Sequence, residues 1–165
     1  MRVYLPATTT RLHELLDAGE LTVLPLLGYA VTPEFRAWYV DADVESLEYA
    51  AMVEAARASL RMLDADPAAA RRRVVIAADI DDDLVALRDD LDRGVVELRA
   101  PVSMTQIASV HVDDDEAEAV VAKAAASMMA AELGDDQSQD DVDDAEGFEL
   151  SWYATQEIAG LLAIG

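Results

Sequence analysis

The amino-acid sequence predicts an α/β fold, a single domain with a mixed β-sheet and packed α-helices; an α+β arrangement is the alternative. Three observations lead there. "RRRVVIAADI", Arg71 to Ile80, is apolar on both faces, as an interior strand covered by helices is. "DVESLEYAAMVEAARASLRMLDADP", Asp43 to Pro67, keeps helical spacing over its whole length. Strand-like and helix-like segments alternate throughout, and 165 residues suit one core.

The elements follow in order. "RVYLP" alternates Val3 and Leu5 against Tyr4, a short strand. Threonine caps, Leu12, Leu15 and Leu16 then spell a helix that Gly19 stops. Pro25 and Gly28 interrupt the apolar segment Leu21 to Val31, which reads as an irregular edge strand or a loop into a short strand. Thr32 as N-cap, Pro33 and Glu34 open a helix with Phe35, Trp38 and Tyr39 on one face. Tyr49, Met52, Val53, Ala56, Leu60 and Leu63 form the apolar stripe of the long helix, and Pro67 ends it.

After the strand Val74–Ile80, a short acidic helix is expected from Asp83 to Leu91. "VVELRAPV" is a strand ending at Pro101, "SMTQI" one turn, and "ASVHV", Ala108 to Val112, the next strand. The helix from Asp114 to Leu133 is alanine, valine and methionine with one polar stripe, Glu116, Lys123 and Ser127, so burial on most sides is expected. "GDDQSQDDVDDAEG", residues 134–147, has one large apolar residue, Val142, and reads as a mobile acidic loop. Phe148, Leu150 and Trp152 alternate as a last strand within Glu149–Tyr153, and Ile158, Leu161 and Leu162 close the chain as a helix.

Composition narrows the function. Lys+Arg number 12 against 34 Asp+Glu, a formal charge of −22 with a pI near 4.1, while the hydrophobic fraction of 53% is that of a folded protein. Such a surface repels phosphate backbones and anionic lipid, so no direct nucleic-acid or membrane contact is expected; a basic protein partner is allowed. Solubility or salt adaptation is the plainer explanation of the charge. With no cysteine, disulfides and thiolate chemistry are excluded, which fits a reducing cytoplasm. "MRVYLPATTT" has no stretch of signal-peptide length, and no run reaches a membrane span. One lysine, Lys123, stands among many arginines and alanines, a bias of GC-rich genomes.

Two aspartate runs, Asp81–Asp83 and Asp113–Asp115, each follow a strand and carry the candidate chemistry. Asp79 and Asp81 share a strand face, as do His111 and Asp113. Were the two strands parallel neighbours, these four groups would meet at the carboxyl edge and could hold Mg²⁺ or Mn²⁺, or with the imidazole Zn²⁺ or Fe²⁺. The D-x-D of Asp79 and Asp81 is similar to the first motif of haloacid-dehalogenase-like phosphatases, in which the first aspartate attacks phosphorus and the second serves as acid and base. "LGDDQSQD" resembles that family's second acidic, magnesium-holding motif. The match departs where Asp83 stands in place of threonine, and where "LGDD" follows a helix instead of a strand. The simpler expectation is that both runs cap helix N-termini, where free amides and the helix dipole favour aspartate.

Trp38 with Tyr39, and Trp152 with Tyr153, are expected in the core, and Arg71 to Arg73 as a solvated lead-in to a strand that pairs with nearby carboxylates. "MRVYLPAT", "YAVTPEFRAWY", "LEYAAMVEAARASLRML", "RRRVVIAAD", "ASVHVDD" and "WYATQE" together resemble a family of uncharacterised actinobacterial proteins of about this length. That resemblance implies a bacterial cytoplasmic single-domain protein and no particular chemistry. The favoured reading is therefore a non-catalytic protein, without cofactor, that binds a partner through Asp135, Asp136, Asp140, Asp141, Asp143 and Asp144. The alternative is a small divalent-metal-dependent hydrolase using Asp79, Asp81, His111 and Asp113.

Overall fold

The computed structural model describes residues 1–164. It confirms the α/β class and corrects the sheet from mixed to antiparallel. Seven strands are involved: β1 (Arg2–Ala7), β3 (Leu26–Tyr29), β4 (Val74–Asp79), β5 (Val85–Leu87), β6 (Val95–Leu98), β8 (Ile107–Val112) and β9 (Ser151–Tyr153). Their order is β5-β6-β3-β1-β4-β8-β9, and every described pair is antiparallel. The short strands β2 (Glu20–Leu21) and β7 (Val102–Ser103) pair separately.

Helix α1 (Thr9–Ala18) starts where the Thr8 side chain accepts from the Arg11 amide and stops at Gly19. With α6 (Ile158–Ile164) it covers one sheet face, packing Leu12, Leu15 and Ile158 against Leu5, Ile76 and Val110. Helix α2 (Pro33–Trp38) begins at Thr32 as expected, and α3 (Val44–Ala65) crosses the other face. The face α3 turns to the sheet is Leu47, Ala51, Ala55, Ala56 and Ala58; of the predicted stripe Ala56, Leu60 and Leu63 are buried, the two leucines in a neighbouring cluster, while Tyr49 is exposed. Alanines win there because a helix lying on a sheet needs close approach more than bulk. The buried Ser59 hydroxyl donates to the Ala7 carbonyl (2.7 Å) and accepts from the Val74 amide (3.1 Å), locking α3 to two strands.

Strand β3 lies between β1 and β6, so it is interior, not an edge. Gly28 makes that possible: a Cβ there would meet Leu5, Tyr4 and Val3 atoms at 2.9 Å. The helix expected at Asp83–Leu91 is instead a 3₁₀ turn, Asp82–Leu84, followed by β5. Val85 and Leu87 pair with Leu98 and Val96, so cross-strand packing outcompetes a short helix with little to bury.

The largest correction concerns residues 134–147. They are not a loop: Asp136–Glu146 is a helix, α5, folded back on α4 (Glu118–Glu132) as a hairpin. Gly134 turns the chain at φ 96°, and the Asp135 side chain caps α5 by accepting from the Ser138 amide at 2.9 Å. Val142 and Ala145 are buried against Met128 and Ala131, while Leu60 and Leu63 join α3 to the same cluster. α4 is accordingly buried along one face and not on most sides; Met129 and Leu133 are exposed.

This helix explains why β9 returns antiparallel to β8. A strand, one helix and a strand give parallel neighbours, whereas two antiparallel helices between β8 and β9 add a reversal. Elsewhere the helical crossover from β3 to β4 joins strands of one direction but skips a position, and β1 fills it antiparallel.

Candidate functional site

Strands β4 and β8 are neighbours, as a joint aspartate–histidine site requires, but they run in opposite directions. Val74 pairs with Val112 and Ala78 with Ile107, so Asp79 and Asp113 leave the sheet at opposite ends. At a rise of about 3.3 Å per residue, the span between them is on the order of 20 Å. Among the described residues no group of three or more His, Asp or Glu is placed to hold a metal ion.

Each predicted residue has a local partner instead. Asp79 is exposed and accepts two bonds from Arg2, Nε at 2.7 Å and a terminal nitrogen at 3.2 Å; the hydrogen bonds from Arg2 hold its carboxyl below the ordinary range. Asp81 precedes the 3₁₀ turn without a side-chain cap bond, and Asp82 accepts from the Met1 amino group at 3.0 Å. Asp113 is fully buried and takes three bonds from Arg73, its amide, Nε and a terminal nitrogen, each 2.8 Å. The same guanidinium donates to the Phe148 carbonyl at 2.8 Å, so one buried ion pair ties β4, β8 and the approach to β9 together. Asp114 accepts from Ser151 Oγ at 2.7 Å, and Asp115 pairs with Arg72.

The capping expectation holds for position, with Asp81 and Asp114 as N-caps and Asp82, Asp83, Asp115 and Glu116 in the first turns, but not for the side-chain bond. Both runs stand at the start of 3₁₀ turns, but neither Asp81 nor Asp114 caps through its side chain. Asp79, Asp113 and Asp115 are engaged by arginines and Asp82 by the Met1 amino group, partners that lie far away in sequence and are invisible to local pattern. Arg72 and Arg73 pair with carboxylates as expected, Asp115 and Asp113, but Arg73 is buried and not solvated.

His111 is half-buried on the α3 side of β8, across from Val75 and Trp152. Burial, with a smaller contribution from the Arg2 charge, pushes its imidazole below the usual histidine range, so it is neutral at pH 7. Its Nε2 lies 3.1 Å from Ser109 Oγ. A serine beside a neutral imidazole is the start of a nucleophile–base pair, but Ser109 is only 5% exposed, too covered for an acyl group to reach. Sequence reasoning did not single out Ser109, although its i, i+2 relation to His111 was available.

The acidic segment gives the most coherent surface. Its six aspartates divide by role. Asp135 caps α5. Asp141 is buried, accepts from Ser127 Oγ at 2.8 Å and pairs with Lys123 at 3.4 Å. Asp136, Asp140, Asp143 and Asp144 are exposed and recur at i, i+4, i+7 and i+8, one face of the helix. Like charges at i, i+4 cost a helix roughly 0.2–0.5 kcal/mol per pair, so this face is held against its own repulsion by the buried side of α5.

Contrary to expectation, Trp38 and Trp152 are exposed, at 61% and 60%. Arg93 stacks over the Trp38 ring at 3.5 Å, which explains the first by a cation–π contact.

Fold and surface define an acidic α/β protein: an antiparallel sheet carrying a helical hairpin with a carboxylate face. The chain belongs to a family of unknown function, DUF6912, whose model matches residues 1–162. Comparison with curated proteins and with solved structures returns no match.

Proposed function

We propose that this protein is a non-catalytic, cytoplasmic binding protein that takes a basic protein partner on its acidic surface, with the α5 face as the contact. The observation that carries this reading is the alignment of Asp136, Asp140, Asp143 and Asp144 on a helix anchored by Val142, Ala145 and Asp141. An ordered carboxylate face offers a fixed charge pattern, which steers and orients a cationic partner better than a mobile tract does. The charge of −22 disfavours direct contact with nucleic acid or anionic membrane, and no described helix is long and apolar enough to cross a membrane. The absence of cysteine suits a cytoplasmic setting, and the arginine and alanine bias suits an actinobacterial one.

The test is capture from cell extract at low and high salt, with mass-spectrometric identification. It compares the whole protein with a variant carrying Asp136→Asn, Asp140→Asn, Asp143→Asn and Asp144→Asn, leaving Asp135 and Asp141 to hold the helix. A basic protein captured only by the parent, and released by salt, is the expected result. Equal capture by both, with the same salt response, would reduce the acidic face to a solubility device.

A further inference from the structure

Strand β9 ends the sheet and, among the described residues, pairs only with β8. It holds neither proline nor lysine, the residues that commonly block an edge. Two different environments flank it. On one side Trp152 stands 60% exposed beside His111. On the other, Tyr153 borders an open cleft of about 660 Å³ that Asp114, Glu116 and Glu157 also line. Arg72, the cation of this cleft, is already paired with Asp115, and among the described residues Glu116 and Glu157 have no ion-pair partner.

From this juxtaposition we infer that β9 receives an extended segment of a basic protein, added antiparallel or parallel as a further strand of the sheet. Side chains of a strand alternate between faces, so every second residue of the guest enters the cleft and the others lie along Trp152. The cleft takes an ammonium or guanidinium group opposite Glu116 and Glu157; the Trp152 side takes the flat or apolar residues between. The recognised pattern is a cation at alternate positions. A second copy of this chain is disfavoured as the guest, because each copy brings a charge of −22 and the two sets of carboxylates would face one another. The inference rests on the reading of this protein as a binder of basic partners, but it uses a surface separate from α5.

The probe is a short capped peptide of alternating Arg and Val, with a control N-methylated on alternate residues along one edge. The control keeps the charge and cannot complete the backbone ladder. Binding is read by Trp152 emission in a Trp38→Phe background and by amide hydrogen exchange over residues 151–153. The parent peptide is expected to slow exchange there and shift Trp152 emission, and the methylated control to bind about tenfold more weakly through the lost backbone bonds. Glu116→Gln with Glu157→Gln should weaken the parent peptide and reduce its salt dependence, while the α5 asparagine variant binds it as before. Equal binding of both peptides, unchanged exchange at 151–153, or no binding at all overturns the β9 site without touching the α5 reading. Loss of peptide binding in the α5 variant assigns the cation contact to the helix and likewise overturns it.

Discussion

Asp113 shows what a single carboxylate does here that its sequence context conceals. Read locally it is the first of three acids before a helix; in the fold it is a fully buried anion chelated by Arg73. Removing one member of such a pair strands the other charge in the core. Asp113→Ala should therefore cost about 3–5 kcal/mol in denaturant unfolding, and Arg73→Met with Asp113→Leu together far less than the sum. Additive losses would show that the pair is not the unit. With Asp79 and Asp113 so engaged, calorimetry with Mg²⁺ or Mn²⁺ should register no stoichiometric binding; a stabilising metal lost in Asp79→Asn would revive the hydrolase. His111 makes a pH-dependent contribution. Its folded pKa lies below the ordinary 6.5, so the unfolded chain takes up the proton first as pH falls. Stability should drop as pH falls from about 6.5 through the folded pKa, and His111→Gln should flatten that step in urea titrations.

At the scale of elements, α5 converts what reads as solvent-exposed chain into part of the core. If residues 134–147 were a loop, deletion of its middle would change stability little, since closure entropy varies slowly with length. As a helix covering Met128 and Ala131, it should instead be sensitive: Val142→Ala should cost about 2 kcal/mol through lost burial and the cavity left behind. Gly134→Ala tests the turn separately. No atom crowds the position, so its cost, of order 1 kcal/mol, is that of φ 96° alone. Unchanged thermal midpoints in both variants would mean that the hairpin is not packed in solution.

Over the whole molecule the charge of −22 is a standing repulsion that compactness must overcome. Screening it should raise stability, so the thermal midpoint should climb as salt rises from about 0.01 M to 0.15 M, where the Debye length shrinks from about 30 Å to 8 Å. Binding of a cationic partner should weaken over the same range. The opposite signs separate self-repulsion from recognition in one pair of measurements. A midpoint independent of salt would show that the acidic groups are too dispersed to strain the fold.

The sequence by itself determined the α/β class, the cores of β1, β4, β8 and β9, the caps of α1 and α2, and the start and end of α3. These rest on interactions within a few residues: period-two and period-3.6 burial, capping side chains, Gly and Pro stops. Tertiary structure decided what depends on distant partners. Arginines far along the chain claimed Asp79, Asp113 and Asp115, and the antiparallel pairing of β4 with β8 set Asp79 and Asp113 at opposite ends of the sheet. An aspartate-rich tract became helical because α4 offered Val142 and Ala145 a surface, and Ser127 and Lys123 received Asp141. That one added helix also reversed the direction of β9 and left Trp152 on an open sheet edge. Local pattern reports which residues want burial; only the assembled neighbours say against what, and in which direction the chain returns.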